Sequence, residues 1–233
     1  MVKLKDIFQN LYPYGVFRAG RDVYLTFDDG PIPEVTPKVL DILARYNVKA
    51  TFFMIGENID KHPEVYEQVI KAGHTIGNHT YNHLKGYRYS LDEYMANVAR
   101  FPKPTKLFRP PYGKATLAQR RALSRMGYTI IYWDILTRDY NPAVTPASML
   151  HKIQRQVRLG SIINFHDSIK SNERMLTVLP QAIEWLQAQG YKLKTLAMEW
   201  KYSIFGEKKH FYLRMCIFFR IFAPDLSVSS EIY

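Results

Sequence analysis

Short runs rich in β-branched and aromatic residues alternate with helical patterns along most of the chain. Such runs predict seven strands, at 23–27, 50–55, 74–77, 107–109, 128–134, 161–166 and 191–194. Helix-starting signals stand between them: Thr36 before Pro37, Thr145 before Pro146, and a capping box from Ser90 to Glu93. Strands and helices at this spacing predict βαβ units around a parallel sheet, an α/β fold. The pattern fits a closed barrel and an open, doubly wound sheet equally well.

The alternation stops near residue 199, which divides the chain into three expected parts. Residues 1–22 form an N-terminal segment, 23–200 a single α/β domain, and 201–233 an appended basic and aromatic tail. With 233 residues, 47% of them hydrophobic, the chain is long and apolar enough to bury a full core.

Positive charge is concentrated in one stretch of this basic chain. Between Tyr94 and Trp133 there are eight Lys or Arg residues and no Asp or Glu, and the whole chain carries a net charge of +11. This stretch fits a polyanionic surface or cell-wall polymer as a partner, and it fits an ordinary solvated face equally well. No nucleic-acid motif accompanies the charge, so we expect no specific nucleic-acid partner.

The N-terminal sequence MVKLKDIFQNLYPYG contains neither a continuous apolar region nor a small-residue cleavage site. No stretch approaches the roughly 18 apolar residues of a transmembrane span. We therefore expect a cytoplasmic protein, with association with the cell envelope as the alternative. The single cysteine, Cys216, excludes an intramolecular disulfide and a cysteine-based zinc site, so histidines and carboxylates would have to hold any metal.

Unusual polar residues follow the predicted strands at their carboxyl ends. The ends of parallel strands meet at one rim, where ligands bind, so side chains that are distant in sequence should converge there. The residues concerned are Asp28, Asp29, His79, His83, Arg109, Tyr112, Asp139 and His166.

His79 and His83 are spaced as i and i+4, so a helix would place both imidazoles on one face, where they could reach one ion. Two unrelated surface or core histidines are the simpler interpretation of this spacing alone. Asp29 would complete a set of two histidines and one carboxylate, which leaves positions open for water and substrate. The adjacent carboxylates of Asp28 and Asp29 repel each other, which costs stability unless a cation lies near them or the two have different roles. The alternative interpretation of this pair is an Asx turn at the end of the strand.

Together these segments resemble the polysaccharide deacetylases, the NodB-homology domain of carbohydrate esterase family four. The similarity extends from about residue 23 to 196 and rests on TFDDGP at 26–31, HTYNH at 79–83, RPPYG at 109–113 and the strand ending in His166 and Asp167. This resemblance implies a single domain folded as a distorted (β/α)7-type barrel. It also implies one divalent metal ion, most often Zn²⁺, bound by Asp29, His79 and His83.

The same resemblance implies the catalytic roles. Asp28 would be the general base and His166 the general acid. Arg109 would orient Asp28, the backbone N–H of Tyr112 would bind the oxyanion, and Asp139 would hold Arg109 and tune His166.

The activity implied by the resemblance is metal-dependent removal of acetyl groups from an N-acetylated sugar or polysaccharide, with release of acetate. The alternatives are a hydrolase of another amide or ester on the same scaffold and a non-catalytic carbohydrate- or surface-binding protein. An intact base, metal-ligand set and acid favour the enzyme.

The chain departs from the family's pattern in two places. Leu136 and Tyr140 stand where the family usually has aspartate and tryptophan, and Asn164 stands where a leucine usually packs on the acetyl methyl group. We expect Tyr140 and Asn164 to line the acetyl pocket, with Tyr140, a water or a substrate group bonded to the Asn164 amide. On this view Asn164→Leu raises activity on N-acetylglucosamine oligomers; the alternative is that Asn164 faces the barrel wall and never meets substrate.

Overall fold

The computed structural model describes residues 14–196. Within that range eight strands form one sheet in which all neighbouring strands are parallel. In chain order they are β1 (Gly15–Val16), β2 (Tyr24–Asp28), β3 (Thr51–Met54), β4 (Thr75–Asn78), β5 (Leu107–Phe108), β6 (Thr129–Ile131), β7 (Ile135–Leu136) and β8 (Ile162–His166). The expected tail at 201–233 and most of the expected N-terminal segment lie outside the described residues.

The order of the strands in space is β1-β6-β5-β4-β3-β2-β8-β7. Strands β2 to β6 follow one another in one direction, and β8 returns to pair with β2, as the last strand of a barrel does. The two edges of the sheet are β1 and β7, so the barrel is open between them. This arrangement confirms the distorted (β/α)7-type barrel and excludes the doubly wound sheet.

The strand pattern differs from the expectation in four places. The short strands β1 and β7 were missed, because two residues carry no recognisable alternation. Of the segment 128–134, only Thr129–Ile131 form a strand, β6. The chain then leaves the sheet, and the Asp134 carboxylate accepts hydrogen bonds from Ser161 and Arg158. The seventh expected strand, 191–194, is reduced to a single bridge between Val23 and Leu193.

Seven α-helices lie within the described part of the chain. They are α1 (Thr36–Arg45), α2 (Gly56–Lys61), α3 (Pro63–Lys71), α4 (Leu91–Ala99), α5 (Leu117–Arg125), α6 (Pro146–Gln156) and α7 (Asn172–Ala188). None of these helices combines the length and apolar character that crossing a membrane requires.

Side chains cap three of the helices. The capping box between Ser90 and Glu93 begins α4, and Thr145 caps α6, as predicted. A further capping box, between Thr116 and Gln119, begins α5. The prediction of Thr36 as an N-cap is wrong, because Thr36 is itself the first residue of α1 and its hydroxyl is bonded elsewhere.

Strands β2 and β8 separate apolar from polar side chains. Alternate residues of a strand point to opposite faces, and the apolar set joins the main core cluster with residues of α1 and α7: Leu25, Phe27, Ile163 and Phe165. The strands pair in register at Thr26 with Asn164 and at Asp28 with His166. These four polar residues therefore share the opposite face, which is the interior of the barrel.

Candidate metal centre and catalytic site

Asp28 and Asp29 are adjacent in sequence, but their side chains lie in different surroundings. Asp28 ends β2 in extended backbone, whereas Asp29 has a φ of 87°, in the left-handed region. The Asp28 carboxylate lies 2.6 Å from Nη1 of Arg109. The Asp29 carboxylate faces His79 and His83. The backbone turn thus separates two carboxylates that would otherwise repel each other.

Asp167 holds the turn that follows. Its carboxylate accepts hydrogen bonds from the backbone N–H of Gly30 at 3.0 Å and from the hydroxyl of Thr36 at 2.6 Å. A Cβ on Gly30 would lie 2.0 Å from the same carboxylate, so only glycine fits. Burial raises the pKa of Asp167 to about 8 against the effect of these hydrogen bonds. Sequence reasoning gave Asp167 no role; its one signal was its position directly after His166.

Asp29, His79 and His83 form what we term the metal corner. The Oδ1 atom of Asp29 lies 3.3 Å from Nε2 of His83 and 3.8 Å from Nε2 of His79. One ligand atom from each of the three lies within 4.8 Å of the others. Two ligands of a tetrahedral zinc ion, each at about 2.0–2.1 Å, are roughly 3.4 Å apart. The three side chains therefore fit a single divalent ion.

The segment that carries both histidines is a loop and not the helix that would place both imidazoles on one face. Thr80 and His83 have left-handed backbone, with φ of 65° and 57°. The side chain of Asn78 accepts a hydrogen bond from the N–H of Thr80 at 2.7 Å. Such a local side-chain bond competes with helix formation. The loop still brings the two imidazole rings to a centroid separation of 5.1 Å.

The protonation states in the metal corner suit a metal. Nδ1 of His79 faces the carbonyl of Arg109 at 2.7 Å; a carbonyl only accepts, so Nδ1 carries the proton and Nε2 stays free. Burial is the main cause that lowers the pKa of His79 to about 4. Burial acts to raise the pKa of Asp29, but the hydrogen bond from His83 and the charges of the nearby histidines outweigh it and lower that pKa to about 2. At neutral pH the corner offers a neutral imidazole and a carboxylate, the forms that bind metals.

Asp28, Arg109 and Asn164 form the base corner. One oxygen of the Asp28 carboxylate accepts from Nη1 of Arg109 at 2.6 Å, and the other accepts from Nδ2 of Asn164 at 3.0 Å. The guanidinium of Arg109 is fully buried and lies 4.0 Å from the centroid of the Phe53 ring. It also donates to the hydroxyl of Thr26, which sequence reasoning did not single out. The expected contact of Arg109 with Asp28 is thus present.

His166 and Asp139 form the acid corner. The Asp139 carboxylate lies 2.8 Å from Nδ1 of His166 and accepts the backbone N–H of His166 at 2.7 Å. Burial of the His166 ring acts to lower its pKa, but the hydrogen bond and charge of Asp139, with smaller effects of Asp28 and Asp29, raise that pKa to about 9. His166 is therefore protonated at neutral pH, as a general acid must be.

Asp139 does not contact Arg109, although we expected it to hold that side chain. Asp139 is bonded to His166, and its backbone carbonyl accepts from Arg174. The donors of Arg109 go to the side chains of the base corner and of Thr26, and to the carbonyls of Ile131, which ends β6, and of Tyr132, which follows it. Arg109 is thus oriented by β2, β8 and the end of β6.

Two exposed tyrosines lie at the rim. The ring of Tyr112 is 4.6 Å from the ring of His83, and that of Tyr140 meets His166 edge-on at 5.0 Å. Tyr112 has a φ of 58°, and its backbone N–H donates to no acceptor among residues 14–196. That N–H is therefore available to a ligand, as the expected oxyanion role requires.

The structure corrects the expected setting of Asn164. Its side chain is fully buried and bonded to Asp28, Arg109 and Thr26, and it has no contact with Tyr140. Position 164 pairs in register with Thr26, which places the amide behind the general base. Of the two residues expected in the acetyl pocket, only Tyr140 lies at the rim.

Part of the positive charge of the basic stretch does not lie at the surface. Arg109 and Arg120 are buried. Arg100 stacks on Tyr81 at 3.8 Å, and Lys103 lies over a further tyrosine ring. The net charge of this stretch therefore overstates the charge available to a polyanion.

Comparison with known proteins gives consistent matches. The family model described as polysaccharide deacetylase matches residues 18–131. A peptidoglycan-N-acetylglucosamine deacetylase of Bacillus cereus is 35% identical over 192 residues, which cover 78% of this chain and 89% of the relative. A chitooligosaccharide deacetylase of Azorhizobium caulinodans is 30% identical, over 75% of this chain and 92% of the relative.

A solved structure agrees with these sequence matches. It is a peptidoglycan N-acetylglucosamine deacetylase crystallised with 4-naphthalen-1-yl-N-oxidanyl-benzamide. The two folds superpose with a TM-score of 0.76 at 30% sequence identity, over 84% of this chain and 95% of the other.

Proposed function

The chain belongs to the polysaccharide deacetylase family, hydrolases of carbon–nitrogen bonds other than peptide bonds, and from this premise we propose that it removes acetyl groups from N-acetylglucosamine residues of a glycan with the help of one divalent metal ion. The observation that carries the proposal is the convergence of three functions at one rim. A three-ligand metal corner, a buried carboxylate and a protonated histidine meet there.

Asp29, His79 and His83 would hold the ion. Two imidazole nitrogens and one carboxylate oxygen suit Zn²⁺, and three protein ligands leave a position open for water or substrate. When bound, such an ion polarises the acetyl carbonyl and acidifies a water molecule. The matched deacetylase with the N-oxidanyl-benzamide supports a metal, because this compound is a hydroxamic acid, a group that chelates divalent ions.

Asp28 and His166 divide the proton transfers. They are register partners on adjacent strands, so both side chains reach into the barrel from neighbouring positions. Asp28 accepts a proton from the attacking water, and Arg109 keeps its carboxylate aimed into the site. His166 donates its proton to the departing amine, which an amide needs because the bare amide anion is a poor leaving group.

The backbone N–H of Tyr112 supplies the remaining element. A free N–H that lies beside a metal ligand can donate to the oxygen on which negative charge develops during the attack. The left-handed φ of Tyr112 is a strained conformation of the kind that clusters at functional sites.

The substrate class follows from the relatives. Both curated relatives are named for deacetylation of N-acetylglucosamine polymers or oligomers. Peptidoglycan is the first choice, since the relative with the higher identity is named for it. Binding to a polyanionic cell-wall surface and a cytoplasmic location remain predictions.

Acetate release over a substrate panel tests the proposal. The panel comprises peptidoglycan fragments, N-acetylglucosamine oligomers, an O-acetylated glycan and a nucleotide sugar. Release from the first two, with Asp28→Asn as the inactive control, is the expected result. Release from the O-acetylated glycan alone would replace N-deacetylation by ester hydrolysis, and binding without release would make the chain a carbohydrate-binding protein.

A further inference from the structure

Asn164 is a polar residue of the barrel interior to which the proposed mechanism assigns no task. Its side chain is fully buried, yet both ends of its amide are hydrogen bonded within the base corner. The residue is also a departure of this chain, since the family usually carries a leucine there.

The partners of Asn164 fix the orientation of its amide. Oδ1 lies 2.7 Å from Nη1 of Arg109, and Nδ2 lies 3.0 Å from the Oδ2 atom of Asp28. A guanidinium only donates, and a carboxylate only accepts. If the amide oxygen and nitrogen were exchanged, the amide NH₂ would face the guanidinium of Arg109 and the amide oxygen would face the carboxylate of Asp28. Neither hydrogen bond could then form.

The three side chains form a closed triangle. Arg109 donates to Oδ1 of Asp28 at 2.6 Å, while Asn164 donates to Oδ2, so each carboxylate oxygen has its own donor. The terminal torsion of an aspartate is broad, so a single donor leaves the carboxylate plane free to turn. Two donors, Arg109 directly after β5 and Asn164 on β8, fix that plane.

We infer that Asn164 is a positioning residue for the general base: it fixes the plane of the Asp28 carboxylate. The inference rests on the proposed function, since it assigns Asp28 as the base. It reverses the effect expected from the sequence. Asn164→Leu removes the donor to Asp28 and an acceptor of Arg109, so it lowers turnover.

Steady-state kinetics on N-acetylglucosamine oligomers tests this inference in three proteins with equal metal content. Asn164→Leu is expected to lower kcat about 10- to 100-fold with KM changed less than about threefold, the size of effect seen when the support of a site residue is lost. Thr51→Val is the matched control: it also replaces a buried polar group, but that hydroxyl accepts a hydrogen bond from the N–H of Leu196 and belongs to none of the three corners, so kcat is expected to stay unchanged.

Two kinetic results would overturn the inference. They are an unchanged or higher kcat in Asn164→Leu and a loss confined to KM. If Asn164→Leu does not fold, the isosteric Asn164→Asp, measured at pH 8, carries the test. It puts a second negative charge beside Asp28, so kcat should fall, and a kcat within twofold of wild type would refute the positioning role.

Thermal unfolding separates a failure of this inference from a failure of the proposed function. If the wild-type protein releases no acetate, the function fails, but the contact is still measurable. Asn164→Leu should lower the unfolding temperature by roughly 5 °C in the wild type and by clearly less in an Asp28→Ala background. Equal shifts in the two backgrounds would show that Asn164 and Asp28 are not coupled.

Discussion

The metal corner and the base corner begin at adjacent residues but are built in opposite ways. Asp29 and His83 lie on loops with left-handed backbone, and about a quarter of each side chain is exposed. Asp28 and Arg109 are almost completely buried and held by strand register and hydrogen bonds.

This difference follows from what each corner has to do. An ion and a substrate must reach the metal corner, so its ligands need a side that is open to solvent. The backbone must also direct the three ligand side chains towards one ion. A carboxylate buried at the base corner costs several kcal/mol unless it is paired, so that corner has a dense network instead. Changes in the metal corner should therefore act on metal binding, and changes in the base corner on catalysis and stability.

The largest expected effect separates the two adjacent aspartates. Asp28→Asn should lower turnover about 10²- to 10⁴-fold, the range for loss of a general base, with metal content near one per chain. Asp29→Ala should lower metal content and turnover together. Elemental analysis beside the acetate-release assay measures both quantities. Equal loss of metal in the two variants would refute the division of roles.

Arg109 tests how far the base corner depends on its buried pair. Arg109→Met leaves the Asp28 charge buried without its strongest donor, and breaking such a pair costs about 3–5 kcal/mol of unfolding free energy. Denaturant unfolding measures this cost. Tyr140→Phe, at the exposed rim, is the control and should leave stability unchanged. A cost for Arg109→Met below about 1 kcal/mol would mean that the pair does not organise the corner.

Much of this contrast was readable in the sequence, because residue types identify chemistry and strand ends identify where it converges. Asp29, His79 and His83 were expected to meet, and they do. The local backbone was not readable: the spacing of His79 and His83 is compatible with a helix, whereas Asn78 bonds to Thr80 and the segment is a loop. Neither left-handed residues nor such side-chain bonds leave a periodic signal.

In the base corner the strands and the contact of Arg109 with Asp28 were predicted, but the partners of Asn164 were not. The alternation of apolar and polar residues located β2 and β8, but their relative register decides whom Asn164 meets. Register is a property of two strands distant in sequence. The same holds for Asp167, whose partners are Gly30 and Thr36.

The acid corner predicts a pH dependence. Turnover needs protonated His166, so kcat/KM should fall as the pH rises through the pKa of that residue, about 9. Asp139→Asn removes the charge that raises this pKa, burial then dominates, and the alkaline limb should move to lower pH by more than one unit. A bound divalent ion also lowers the pKa, so both proteins are compared at equal metal content. An alkaline limb that stays in place would remove His166 or Asp139 from the proton transfer.

The smallest expected effect lies outside both corners. Ser90→Ala breaks the capping box of α4 and should cost about 1 kcal/mol of unfolding free energy. Because Ser90 is not part of the metal, base or acid corner, kcat and metal content should stay at wild-type values. A loss of turnover would show that the start of α4 contributes to the site.

Titration of the metal-free protein with zinc, while acetate release from an N-acetylglucosamine oligomer is measured, tests the role of the metal corner most directly. Activity should be absent after chelation, rise in proportion to added zinc and level off at one ion per chain. His83→Ala, which lacks one of the three ligands, should require far more zinc. Full activity in the metal-free protein, or an unchanged titration in His83→Ala, would contradict a catalytic metal held by Asp29, His79 and His83.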